Sequence, residues 1–145
     1  MTSLETLAHN FGTVFVRLHR VADRRMAEQG ASLARTKILM FLQKFQGSAR
    51  ATDIAECFGQ APRTITEALD ALERDHLIVR TADPSDRRVK RLSITPAGEA
   101  AVRATEPLRL ALIEQLFGAL DEEDRARLDA MLERLLARLE EVDPQ

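Results

Sequence analysis

The side chains with the clearest chemical capacity in this sequence are arginines gathered in one short polar run. From Arg80 to Arg91 the chain reads RTADPSDRRVKR, so that Arg80, Arg87, Arg88, Lys90 and Arg91 stand against only Asp83 and Asp86. A guanidinium carries a fixed fork of donors that suits phosphate oxygens and the acceptor edge of guanine. Asp83-Pro84 is a turn-starting pair, and Asp86 lies two residues before Arg88, close enough to pair with it or to brace it so that it projects. A projecting arginine suits the narrow, electronegative minor groove of duplex DNA. The alternative is a solvated turn with Arg87 and Arg88 free in water. A second polar group, Arg63, Thr64, Thr66 and Glu67, opens the segment APRTITEALDALER. Arg63 can fork onto guanine or onto phosphate, and threonines can offer a hydroxyl to phosphate or a methyl to thymine.

Other chemistries find little support. No Ser-His-Asp order, phosphate-cradling glycine loop or paired-carboxylate cleft stands out, so neither an enzyme nor a cofactor is expected. His9 and His19 are ten residues apart on one expected helix, too far for shared metal ligation, and His76 stands alone; no metal is expected. The single Cys57 can form no internal disulfide and is expected to fill space near the end of a short helix. With 145 residues, 45% of them apolar, the chain is expected to make one domain with a real core. Neither a targeting pattern at Met1 to Glu5 nor a long apolar run is present, so a cytoplasmic location without membrane contact is expected. The formal net charge of −2 decides nothing about nucleic acid, because the positive charge is local: Asp121 to Asp124, Glu133, Glu140, Glu141 and Asp143 offset it in the C-terminal third.

The polar groups must be positioned by elements, and the apolar spacing supplies them. Thr2 and Glu5 form a capping-box pattern, after which Leu4, Leu7, Phe11, Val14, Leu18 and Val21 recur at helical steps to near Gly30. A second helix is expected from Ser32, with Leu33, Ile38, Leu39, Phe41, Leu42 and Phe45 deeply buried, ending at Gln46-Gly47-Ser48. A short third spans about Thr52 to Phe58, with Ile54, Ala55 and Phe58 inward and Gly59 ending it in a left-handed conformation. A fourth starts at Pro62 and turns Ile65, Leu69 and Leu72 to the core. The pattern then changes to β-type residues, Leu77 to Thr81 and Arg91 to Ile94, flanking the charged run as a hairpin. Thr95-Pro96 opens a further helix with Ala101, Val102, Leu108, Leu112, Ile113, Leu116 and Phe117 as its apolar positions, which Pro107 should kink or divide. Asp121 caps the last helix, striped by Leu128, Met131, Leu132, Leu135, Leu136 and Leu139.

Helix, tight connection, helix, hairpin is the order of a winged helix-turn-helix, whose second helix enters the major groove. The fold class expected is therefore mainly α with a small β-hairpin wing and long terminal helices. From about Leu33 to Gly98 the sequence also resembles the MarR family of bacterial regulators, through TDIAECFG, RTITEALDALE, LIVRTADPSDRR and LSITPAG. The resemblance implies a winged core at about 33–98 with dimerisation arms at 1–30 and 99–145. It also implies that Asp86, Arg87 and Arg88 serve on the wing, while Arg63, Thr64 and Thr66 serve on the DNA-reading helix. Peroxide-sensing relatives carry their cysteine on the first helix, which argues against a redox role for Cys57. Three departures stand out. His76 replaces a usual glycine, Glu67 takes a position often basic, where it would repel phosphate or accept from cytosine N4, and Ala61 replaces the usual hydroxyl cap.

The terminal stripes are too long for a small monomer to cover, so Leu4, Leu7, Phe11, Leu128, Leu132 and Leu135 are expected to form a homodimer interface; the alternative is an intramolecular bundle. Two-fold symmetry would set the reading helices about 34 Å apart on a pseudo-palindromic operator. The resemblance, together with Arg17, His19 and Arg20 on the first helix, implies a small aromatic anion as effector of a repressor. The competing function is a winged-helix protein adaptor that has lost DNA binding.

Overall fold

The computed structural model describes residues 1–144. The chain runs α1 (Leu4–Glu28), α2 (Leu33–Phe45), α3 (Ala51–Phe58), α4 (Pro62–Arg74), β1 (Ile78–Ala82), β2 (Lys90–Ile94), α5 (Pro96–Phe117) and α6 (Glu122–Val142). It divides into two compact units, Met1–Leu108 and Arg109–Gln145. No described helix is long and apolar enough to cross a membrane.

In the first unit, buried apolar side chains from six segments make one cluster: Ile38, Leu39 and Leu42 of α2, Ala49, Ile54 of α3, Ile65, Leu69 and Leu72 of α4, Ile78 and Leu92 of the hairpin, and Val102 of α5. Each large member contributes about 1.5–3 kcal/mol by leaving water. The i, i+4, i+7 spacing of Ile65, Leu69 and Leu72 therefore holds one face of α4 down and leaves the opposite face outward. Phe45, expected in this core, is exposed instead; it stacks on Phe41 at 4.4 Å between ring centroids at the rim of the cluster.

The ends of the helices follow local chemistry. The hydroxyl of Ser32 accepts from the Arg35 amide, and Asp121 Oδ1 accepts from the Asp124 amide at 2.8 Å. At α1 the cap is Ser3 rather than Thr2, its hydroxyl accepting from the Thr6 amide at 3.1 Å. Gly59, at φ 59°, ends α3 and lets the chain reverse into α4 within three residues.

The hairpin is antiparallel, with Arg80 opposite Leu92 and Ala82 opposite Lys90. Ala49 adds a single bridge to Leu92, through Leu92 N–H donating to Ala49 O at 2.8 Å, and so ties the α2–α3 link to the sheet. At the base of β1 His76 occupies the left-handed region at φ 59°. The Thr95 hydroxyl donates to His76 O at 2.7 Å, and the hydroxyl oxygen in turn accepts from the Gly98 amide at 3.1 Å. A Cβ at Gly98 would stand 2.2 Å from Leu77 O, so glycine is required where α5 crosses this turn. Pro107 does not divide α5, which is one helix from Pro96 to Phe117; the boundary between the units falls one residue beyond it.

In the second unit none of the α6 residues is buried. Leu128 and Leu132 are half-covered and, with Phe117 and Arg125, line a shallow groove of about 450 Å³. Met131, Leu135, Leu136 and Leu139 lie open to solvent. In the first unit the N-terminal part of α1 is equally bare: Leu4, Leu7, Phe11, Val14 and Phe15 are all exposed, and Met26, near its other end, is buried.

Candidate nucleic-acid interface

The outward face of α4 begins at Pro62, whose missing N–H is no loss in the first turn, and Ala61 supplies no side-chain cap. Arg63, Thr64 and Thr66 lie exposed at this leading end. Arg63 Nε donates to Glu67 Oε1 at 3.2 Å, one turn along the same face. That contact uses the Nε–H and leaves the terminal amino groups of a side chain that is 91% exposed. Glu67 thus meets an arginine of its own helix. Thr66 donates its hydroxyl back to Pro62 O at 2.9 Å, which leaves its methyl as the group able to meet an apolar base edge.

The wing is organised by Asp83, a residue whose sequence context indicates only a turn-starting part. Asp83 is 3% exposed. Its Oδ1 accepts from the Ser85 amide at 2.8 Å and more weakly from the Asp86 amide at 3.4 Å, while Oδ2 accepts from Arg91 Nε at 2.7 Å and faces Arg50 at 3.8 Å. The Arg91 guanidinium, followed by the Ser85 amide, holds its carboxyl below the usual value of 3.8 despite the opposing effect of burial. Asp83 N–H donates to Val89 O and Val89 N–H to Asp86 O, which closes the tip. Asp86 braces Arg88 chiefly through the backbone: its Oδ1 accepts from the Arg88 amide at 3.0 Å, with the guanidinium Nε at 3.9 Å. The Arg88 side chain is 94% exposed, and Arg87 beside it is exposed as well. The tip therefore carries two outward arginines on a closed, hydrogen-bonded turn.

Arg17, His19 and Arg20 of the first helix do not share one surface. His19 and Arg20 line a cleft of about 520 Å³ in the first unit, together with Phe15, Lys37, Phe58 and Thr64. Lys37 Nζ lies 3.5 Å from His19 Nε2 and 5.2 Å from the Phe58 ring centroid, and the Phe15 and His19 rings are 5.1 Å apart. Arg17 borders a different depression, beside His9 and Gly12, which Arg20 also touches. Lys37, Phe15 and Phe58 carry no functional signal in the sequence, because nothing in their spacing sets them apart from ordinary helix residues; only the packing of α1 against α2, with Phe58 of α3 meeting Lys37, gathers them. Cys57 is exposed rather than space-filling, since the inward positions of α3 go to Ile54 and Ala55. Among the described residues no group of three metal-ligating side chains is present.

A helix pair packed through one core, with an exposed second helix and an arginine-tipped hairpin beside it, defines a winged helix-turn-helix transcriptional regulator that binds DNA. The model of the MarR family matches residues 32–90. The chain belongs to the MarR family. It is 31% identical to an uncharacterised HTH-type transcriptional regulator of Bacillus subtilis, YxaD, over 85% of this chain and 86% of that one. It is 33% identical to the HTH-type transcriptional repressor MdtR of the same organism, over 81% of this chain and 75% of that one. A crystal structure of the S. aureus MepR–DNA complex shares the fold, with a TM-score of 0.77 at 24% identity over 90% of this chain and 96% of that one.

Proposed function

We propose that this regulator is a cytoplasmic, homodimeric repressor without catalytic activity, which reads a pseudo-palindromic operator and is released by a small aromatic anion. The observation that carries the DNA reading is the pairing of an exposed helix start with a braced arginine tip. Arg63, Thr64 and Thr66 serve base edges and phosphates in the major groove, while Arg87 and Arg88, set by Asp86, serve the adjoining minor groove. The bare stripes Leu4, Leu7 and Phe11 on α1 and Leu135 on α6, with the half-covered Leu128 and Leu132, support a partner copy, since an exposed apolar stripe on each helix marks an interface. The repressor sense is supported by the likeness to MdtR.

The effector reading rests on the cleft beside α1. Lys37 and Arg20 supply positive charge, and the rings of Phe15, His19 and Phe58 supply a face for an aromatic ligand. Thr64 belongs both to this cleft and to the leading end of α4, so a ligand there touches the reading helix itself. Arg17 contributes from the neighbouring depression at most through its charge.

The test is selection of bound duplexes from a random pool, followed by titration of the recovered operator with aromatic carboxylic acids and phenols. A palindromic consensus with release by one of these classes is expected. A chain that recovers no DNA is the protein adaptor instead, and a complex indifferent to every aromatic anion removes the effector from the reading.

A further inference from the structure

The reading helix carries more acid than base. Along its outward stripe α4 places Arg63, Glu67, Asp70, Glu73 and Arg74, so two arginines stand against three carboxylates on an element that must approach a polyanion. A carboxylate within a Debye length of about 8 Å from phosphate opposes binding of every sequence alike. Glu67 is met within the helix by Arg63. Asp70 and Glu73 are met from outside it: Arg80 of β1 donates from one terminal nitrogen to Asp70 Oδ1 at 2.8 Å and from the other to Glu73 Oε1 at 3.1 Å. Arg80 is the least exposed partner of this trio, at 22%, against 52% for Asp70 and 44% for Glu73. Its guanidinium fork is splayed over two carboxylates on adjacent turns, which a single ammonium cannot span.

We propose that Arg80 supports DNA binding through its charge: from the first strand of the wing it neutralises the acidic flank of the reading helix. The inference rests on the DNA-binding reading above and adds a residue that touches no DNA in it. Removal of Arg80 then weakens operator and unrelated duplex together, unlike removal of a base-reading side chain.

The experiment measures affinity for the selected operator and for a scrambled duplex across a salt series, with circular dichroism and thermal melting of each variant. Arg80→Gln should weaken binding to both duplexes by about tenfold at low salt, the gap closing as salt rises. Arg80→Lys, which keeps the charge although its ammonium meets one carboxylate at a time, should retain most of the affinity. Neutralising the acids in the same chain, as Arg80→Gln/Asp70→Asn/Glu73→Gln, should bring both affinities back to within about twofold, which a merely structural role of Arg80 would not do. The pair Asp70→Asn/Glu73→Gln with Arg80 intact should bind DNA more tightly than the parent, and this holds however well the Arg80 variants fold. Parental affinity in Arg80→Gln, a triple variant as weak as the single one, or weaker binding by the amide pair would each overturn the inference. A parent chain that binds neither duplex overturns the DNA-binding reading, and this inference with it.

Discussion

Asp83 shows how one side chain can set the posture of a functional loop. Its two oxygens receive amides of the tip on one side and Arg91 on the other, with Arg50 of the α2–α3 link nearby, so the turn carrying Arg87 and Arg88 is anchored to two other segments. Removing the charge gives the part-exposed Arg91 a weaker, neutral acceptor and puts an amide in the buried Asp83 position, so Asp83→Asn should lower the melting temperature and loosen the wing together. The pH dependence follows from the direction of the shift. Because folding lowers the Asp83 pKa, the unfolded chain binds the proton more readily, and the stabilisation is complete above the ordinary value of 3.8. It is lost as the pH falls below 3.8 toward the folded value. The stability difference between parent and Asp83→Asn should therefore be constant near neutrality and close in acid, as read from urea unfolding at a series of pH values. A difference that persists unchanged at low pH would assign the effect of the substitution to packing instead.

The two elements that meet DNA should contribute different kinds of free energy. Arg88 sits on a tip with no neighbouring base-reading group, so Arg88→Ala should weaken binding to operator and random duplex alike and reduce the salt slope by about one for each phosphate that Arg88 neutralises. Arg63 lies at the leading end of α4, where a guanidinium reaches base edges. Arg63→Ala should cost about 1–3 kcal/mol on the operator and less on random DNA, relaxing one position in each half-site. The Arg63–Glu67 pair adds a further expectation, because the substitution also releases Glu67 toward the DNA. Equal weakening on both duplexes for Arg63→Ala would reduce that side chain to a phosphate ligand. An unchanged Arg88→Ala would take the wing out of the mechanism.

At the scale of the molecule the unsatisfied surface is the terminal helices. Leu135 is 54% exposed, whereas Leu132 is partly engaged in the groove with Phe117 and Leu128. Leu135→Asp therefore tests the dimer more cleanly than a charge at Leu132, since Leu135 lies outside that groove and its replacement disturbs less of the packing within the protomer. It should yield a folded monomer in sedimentation, with DNA affinity abolished because one half-site alone is held. A normal dimer from this variant would place the interface elsewhere.

The winged core was legible in the sequence because its determinants are local. Helical spacing at Ile65, Leu69 and Leu72, Pro62 at a first turn, Gly59 at a reversal and the change to β-type residues after His76 each act within a few residues, and the structure reproduces them. The exposed leading end of α4 and the Asp86–Arg88 brace were legible for the same reason. What tertiary structure alone decided involves partners distant in the chain. Asp83 became a buried hub only once Arg50, 33 positions earlier, and Arg91 converged on it. Phe45 looked like core until α2 turned it to the rim, and Lys37 met His19 and Phe58 only when three helices packed together. Arg80 resembled one more cation of a basic run until β1 crossed beside α4 and set it between Asp70 and Glu73. Periodicity reports which face of an element is apolar; which charged side chains meet across two elements depends on register and crossing, and these are settled by the packing of the whole core.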